Sequence, residues 1–241
     1  EYQSLLKSND YNLVYKKAIE YYNKGDYQRA MNLLDGVRSV FVGQAKAQNI
    51  AYYRAFCSYN MKDYQIASDL FKQFIQTYPE SSFAEECLYM MGFCDYKASP
   101  KPRLDQQVTE KAIREFQLYL SRYPYSMRKD KVNTYMDEMR DKLSYKAYLS
   151  AKNYYLREHY KAAVISLQNC LKDYPGSKYR EEIMYMLFVS KYQMAVNSVE
   201  DKKVERYNNA REEYYYFADE YPNSRYAADV KKMYEDIEAY L

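Results

Sequence analysis

The chain has 241 residues, with 36 Lys and Arg against 33 Asp and Glu, one histidine and a net charge of +3. No apolar run approaches the length of a membrane span, and the interleaved charges form no basic stripe of the kind a nucleic-acid binder carries. Glycine occurs only five times while tyrosine occurs 34 times and tryptophan never, which disfavours phosphate-cradling loops and β-rich folds.

The first helical pattern places Tyr15, Ala18 and Tyr22 on one face, since spacings of three, four and seven coincide on a helix. The same tyrosine–small–tyrosine signature returns at Tyr52-Ala55-Tyr59, Tyr89-Gly92-Tyr96 and Tyr148-Ala151-Tyr155, and with a large middle residue at Tyr185-Phe188-Tyr192. Each is followed by a second pattern, an alanine with an apolar residue four later: Ala30/Leu34, Ala67/Phe71, Ala112/Phe116, Ala163/Leu167 and Ala210/Tyr214. Three of the pairs are joined through Gly25-Asp26-Tyr27, Lys62-Asp63-Tyr64 and Glu158-His159-Tyr160. Small residues on facing helices permit close approach, so each pair of patterns predicts an antiparallel helix hairpin.

The last four hairpins end on one phrase: Tyr78-Pro79-Glu80-Ser81, Tyr123-Pro124-Tyr125-Ser126, Tyr174-Pro175-Gly176-Ser177 and Tyr221-Pro222-Asn223-Ser224. Proline cannot continue a helix and pushes the preceding tyrosine out of the α region. The serine is placed to cap the following helix. The steps between Ala30, Ala67, Ala112, Ala163 and Ala210 are 37, 45, 51 and 47 residues. Two of the excesses are expected as loops inside a hairpin, at 98–109 (with Pro100 and Pro102) and at 197–206. The third is expected as helix, because Val132, Tyr135, Met136, Met139 and Leu143 make an apolar stripe within one long helix from Met127 to Leu156. A terminal helix from Arg225 to Leu241 closes the chain.

Two patterns recurring five times in phase resemble the tetratricopeptide repeat, though with steps longer than its usual ~34 residues. The expected fold is all-α, a tetratricopeptide-repeat superhelix of about five helix hairpins plus a C-terminal helix. With its Tyr-Pro-x-Ser joints, two inner insertions and long middle helix, the chain further resembles the BamD family, lipoproteins of the outer-membrane β-barrel assembly machinery. That resemblance implies a non-enzymatic scaffold at the periplasmic face of the outer membrane, anchored through a lipidated cysteine ahead of Glu1. It implies two protein partners: unfolded β-barrel precursors, and the periplasmic domains of the barrel-inserting protein. It divides the chain into a tether (1–9), a client-binding half of three repeats (10–125) and a docking half of two repeats with the terminal helix (126–241). A Tol-associated envelope coordinator and a glycan-binding lipoprotein are the alternatives. The first tends to carry a coiled coil, and no heptad run precedes Tyr11; the second leans on tryptophan.

Precursor strands of that kind end in aromatic residues, so a face of tyrosine and asparagine is the candidate client site. The first two repeats match there, at Asn12/Asn49, Tyr15/Tyr52, Tyr22/Tyr59 and Asn23/Asn60. The tyrosines flank a residue that must face the partner helix, which draws many of them into the core with the hydroxyl at the edge. Asn23, Phe56, Asn60, Phe93 and Lys97, just off that face, are the better candidates. Cys57, Cys87, Cys94 and Cys170 lack the paired spacing of a zinc site, and Cys87 and Cys94 lie roughly 10 Å apart along one helix, too far for a bridge. Buried free thiols are expected. His159 falls in a turn, and no catalytic, metal, cofactor or nucleic-acid motif is present.

Overall fold

The computed structural model describes residues 2–241, and all regular structure among them is helical. The helices are α1 (Tyr2–Leu5), α2 (Tyr11–Asn23), α3 (Tyr27–Val37), α4 (Lys46–Asn60), α5 (Tyr64–Thr77), α6 (Ala84–Ala98), α7 (Gln107–Arg122), α8 (Lys129–Leu156), α9 (Tyr160–Asp173), α10 (Arg180–Val196), α11 (Glu200–Glu220) and α12 (Ala227–Tyr240). From α2 to α11 they pair in chain order as five hairpins, and α12 packs on the last. The expected repeat architecture is therefore present. The chain divides into two compact units inside α8, the first ending at Met139 and the second running Arg140–Leu241.

Each hairpin closes on its small residues. Ala18 and Ala30, Ala55 and Ala67, and Ala151 and Ala163 are all fully buried, and Leu34, Phe71 and Leu167 fill the space beside them. In the third hairpin Gly92 takes the small position, and a Cβ there would stand 2.8 Å from the Phe116 ring. The fifth reverses the arrangement, with Phe188 in that position and buried. The hairpin turns share one backbone device. Gly25 (φ +81), Lys62 (φ +67) and Glu158 (φ +60) stand in the left-handed region at equivalent places. There the next N–H reaches back five residues, Asp26 to Tyr21, Asp63 to Ser58 and His159 to Tyr154, satisfying carbonyls that the helix end leaves free.

The four Tyr-Pro-x-Ser joints are built alike. The serine N–H donates to the tyrosine carbonyl across the proline, and the serine carbonyl accepts from the residue three later (Ala84, Lys129, Arg180, Ala227). Each serine Oγ accepts from the N–H two residues on, at Phe83, Arg128, Tyr179 and Tyr226. That N–H lies just ahead of the helix, so the cap acts earlier than a standard N-cap would.

Three expectations change. The excess at 197–206 is mostly helix, since α11 begins at Glu200 and adds turns to its N-terminus. No Gly or Pro interrupts the segment, Glu200 and Asp201 suit the positive end of the helix, and Glu200 pairs with Lys203 at 3.1 Å. The segment read as a tether is packed over part of its length. Leu5 is buried, and the Tyr2 hydroxyl accepts from Asn32 Nδ2 at 3.0 Å. The loop expected at 98–109 lies between α6 and α7 but is shorter, spanning 99–106 because α7 begins at Gln107, and is held by Gln106 Nε2 donating to the carbonyls of Lys101 (2.8 Å) and Leu104 (3.1 Å).

Candidate functional site

The ten candidate residues all lie in the first unit, on α2, α4 and α6. They separate into two groups. Asn12 and Tyr15 belong with Lys46 and Phe41: Lys46 Nζ donates to Asn12 Oδ1 at 2.6 Å and stands 5.6 Å from the Tyr15 ring. This small polar cluster sits at the start of the first hairpin.

The remaining aromatic candidates join one continuous chain of rings. Tyr22 touches Tyr27 (centroids 5.5 Å apart) and Tyr53 (4.9 Å); Tyr53 meets Tyr52 (5.4 Å), which meets Phe56 (4.6 Å). The chain continues from Phe56 to Tyr59 (6.3 Å), to Phe93 (6.2 Å), and then to Tyr96 (5.9 Å) and Tyr135 (5.5 Å), the last two stacked at 4.4 Å. Most of these rings are half-buried. Lys97 stands 5.3 Å from the Phe93 ring and Lys131 stands 5.9 Å from the Tyr135 ring, so cations border its distal end. Asn60 turns inward, its Nδ2 donating to the Phe56 carbonyl at 2.8 Å, whereas Asn23 and Lys97 are exposed. Tyr135 was legible only as part of an apolar stripe. Its place in the strip depends on how the start of α8 folds against α6.

In three of the five patterns the first tyrosine also has a structural task. Tyr52, Tyr148 and Tyr185 donate their hydroxyls to a carboxylate on the next repeat: Glu86 (2.9 Å), Glu182 (2.9 Å) and Asp229 (2.6 Å). Burial first, and then the acceptor carboxylate, hold the Tyr52 and Tyr185 hydroxyls well above the usual tyrosine range. Burial pushes Tyr22 up to about 12. These hydroxyls stay protonated as donors at any physiological pH.

Onto the same ring folds the residue two after each joint serine. Phe83 lies 4.6 Å from Tyr52, Tyr179 stacks at 4.3 Å on Tyr148 and Tyr226 at 4.0 Å on Tyr185, while the Arg128 guanidinium lies 4.7 Å from Tyr89. The joint serines complete the clasp. Ser81, Ser126 and Ser224 donate to Gln48 (2.9 Å), Glu85 (2.8 Å) and Glu181 (2.6 Å) on the preceding repeat, and Ser177 accepts from Ser144 (2.9 Å). Sequence reading had missed this clasp. Its signal was present as the aromatic or arginine two residues past each joint serine.

No cluster able to hold a metal occurs among the described residues. All four cysteines are free and buried, as expected, and burial raises each thiol, Cys57 and Cys87 to about 12 and Cys170 to about 11. His159 is exposed in its turn, beside an open depression of about 770 Å³ that also takes in Ile165, Met194 and Arg206. Arg206 is occupied there by the Met194 carbonyl (3.3 Å) and Ser198 (2.6 Å). One buried polar group had no sequence signal. Lys111 Nζ lies 2.8 Å from Asp95 and 3.6 Å from Glu115, and Ser68 donates to Asp95 at 3.1 Å.

The protein family described as YfiO, outer membrane lipoprotein, matches residues 7–182 and again 147–241. Among curated proteins none matches. Among solved structures, a TPR repeats protein from Bacteroides fragilis is 13% identical, with 97% of this chain and 100% of that one covered and a TM-score of 0.45. The TPR2AB domain of yeast Sti1 in its pHSP90 complex is also 13% identical, covering 95% and 98%, with a TM-score of 0.42. No helix among the described residues is long and apolar enough to cross a membrane.

Proposed function

Because the chain belongs to the YfiO family of outer-membrane lipoproteins, we propose that it is a non-enzymatic scaffold of β-barrel assembly, receiving unfolded barrel precursors on its first unit. The observation that carries this reading is the strip of rings from Tyr22 to Tyr135, bordered by Lys97 and Lys131. A strand ending in an aromatic residue and a free carboxylate is complementary to it. Rings stack on rings, and the carboxylate meets ammonium groups that nearby π-faces already hold in place. A ready-made aromatic face also loses little conformational entropy on binding, which suits a site that must accept many related sequences. On the same reading, the docking half expected over residues 126–241 gives up its start to the ring strip, which takes in Lys131 and Tyr135, and its part in the second unit meets the periplasmic domains of the barrel-inserting protein.

The test is fluorescence anisotropy with a labelled peptide copying an aromatic-ended strand. Lys97 is exposed, so Lys97→Glu leaves the core intact; it is expected to weaken binding about three- to fivefold, the scale of one exposed cation–π contact plus charge reversal. Equal affinity for the variant, or for a peptide with its terminal aromatic replaced by alanine, sinks the reading.

A further inference from the structure

The joint between α7 and α8 departs from the other three in a way its backbone does not require. Its two variable positions carry Tyr125 and Met127, 97% and 103% exposed. The corresponding residues are Glu80 and Ser82, Gly176 and Lys178, and Asn223 and Arg225 in the other joints, which make the same turn and the same serine bonds. Two large apolar side chains side by side in water contribute nothing to this fold, and burying them elsewhere is favourable. Around them, Arg122, Arg128, Lys129 and Lys131 face a single acid, Asp130, within ten residues. Arg128 is turned inward onto Tyr89 and Glu86 (3.5 Å), while Arg122, Lys129 and Lys131 are exposed. The adjacent joint carries Glu80, so the positive field is local to this one.

We propose that this joint is a membrane-contacting knob, in which Tyr125 and Met127 enter the headgroup region of an anionic phospholipid surface and the flanking bases pair with lipid phosphates. Both side chains stand almost wholly clear of the protein, which suits a deformable lipid surface better than the cleft-and-anchor fit of a protein hot spot. Tyrosine favours the headgroup level, where its ring is buried and its hydroxyl stays wet, and each nearby base adds attraction to anionic lipid. Membership in a lipoprotein family puts such a surface within reach, and Tyr125 and Met127, the two residues the test replaces, lie outside the ring strip proposed for the client.

The test is co-sedimentation of the unlipidated 241-residue chain with phosphatidylcholine vesicles, with and without phosphatidylglycerol. The wild type is expected to bind the phosphatidylglycerol vesicles selectively and to release in high salt. Tyr125→Asn with Met127→Ser, which mimics the other joints, is expected to weaken that binding about tenfold while leaving the helical signal unchanged. As a second readout, Met127→Cys carrying an environment-sensitive dye should shift to the blue on these vesicles; the four native thiols are buried and do not compete for label. The proposal is overturned if the wild type shows no preference for phosphatidylglycerol vesicles, or if the double variant binds as well as wild type. It is equally overturned if the dye reports no burial, or if the double variant keeps vesicle binding but loses a protein partner.

Discussion

Glu115 is held inside the third hairpin between the Asp95 carboxylate and the Lys111 ammonium, and its Oε2 is buried with no hydrogen-bond partner among the described residues. Burial, and then Asp95, push its carboxyl up to about 8; Lys111 opposes the shift without cancelling it. Cys94, buried beside the pair, stays a neutral thiol because burial raises it too. A carboxyl that binds its proton more tightly folded than unfolded favours the fold at low pH. That contribution is lost as pH rises from the unfolded value of 4.5 through about 8. The first unit is therefore expected to lose urea resistance across this window, and Glu115→Gln to remove most of that slope. Midpoints measured for both proteins across the window check it; parallel slopes would show that Glu115 is not the titrating group. None of this was legible in the sequence. Asp95 and Glu115 lie 20 residues apart on different helices, and only the packing of α6 on α7 makes them neighbours.

At the scale of the helix hairpin, the small residue sets how closely two helices approach. In the second hairpin, Ala55 is accommodated with Phe71 turned edge-on to Phe56 at 5.0 Å. The third has no such freedom, because the Phe116 ring is confined by Tyr89 at 6.3 Å and Tyr135 at 5.9 Å and lies against the bare Gly92 Cα. Gly92→Ala is expected to cost about 1–3 kcal/mol through overpacking, net of the gain in helix propensity. Adding Phe116→Leu, the size found at Leu34 and Leu167, should recover part of that loss. A denaturant double-mutant cycle checks the pair; purely additive effects would mean that the two positions do not meet. The hairpins themselves were readable because helix spacing is periodic and the small–apolar pattern recurs in phase. The start of α11 was misread because a lengthened repeat looks alike whether the extra residues are coil or helix, and only helix-end charge and pairing decide.

Within each unit, the Tyr-Pro-x-Ser joints clasp neighbouring repeats through a serine and a stacked ring or guanidinium, with a tyrosine–carboxylate bond added at Tyr52, Tyr148 and Tyr185. Stability in such an array is carried by nearest neighbours. Tyr185→Ala removes both the 4.0 Å stack on Tyr226 and the hydroxyl bond to Asp229, so it is expected to loosen α12 and the fifth hairpin while α2–α5 keep their protection. Hydrogen exchange resolved by segment checks this, and a uniform loss of protection along the chain would refute it. By itself the sequence determined the helical class, the number of hairpins, the joints and the family resemblance, because each follows from local spacing, proline punctuation and repetition. Only the tertiary structure decided which rings join into one strip, which tyrosines spend their hydroxyls on the next repeat, and that Tyr125 and Met127 stand in solvent. Those properties depend on what the neighbouring repeat places opposite each side chain. Helical periodicity reports the face a residue occupies but carries no information about its partner across the interface.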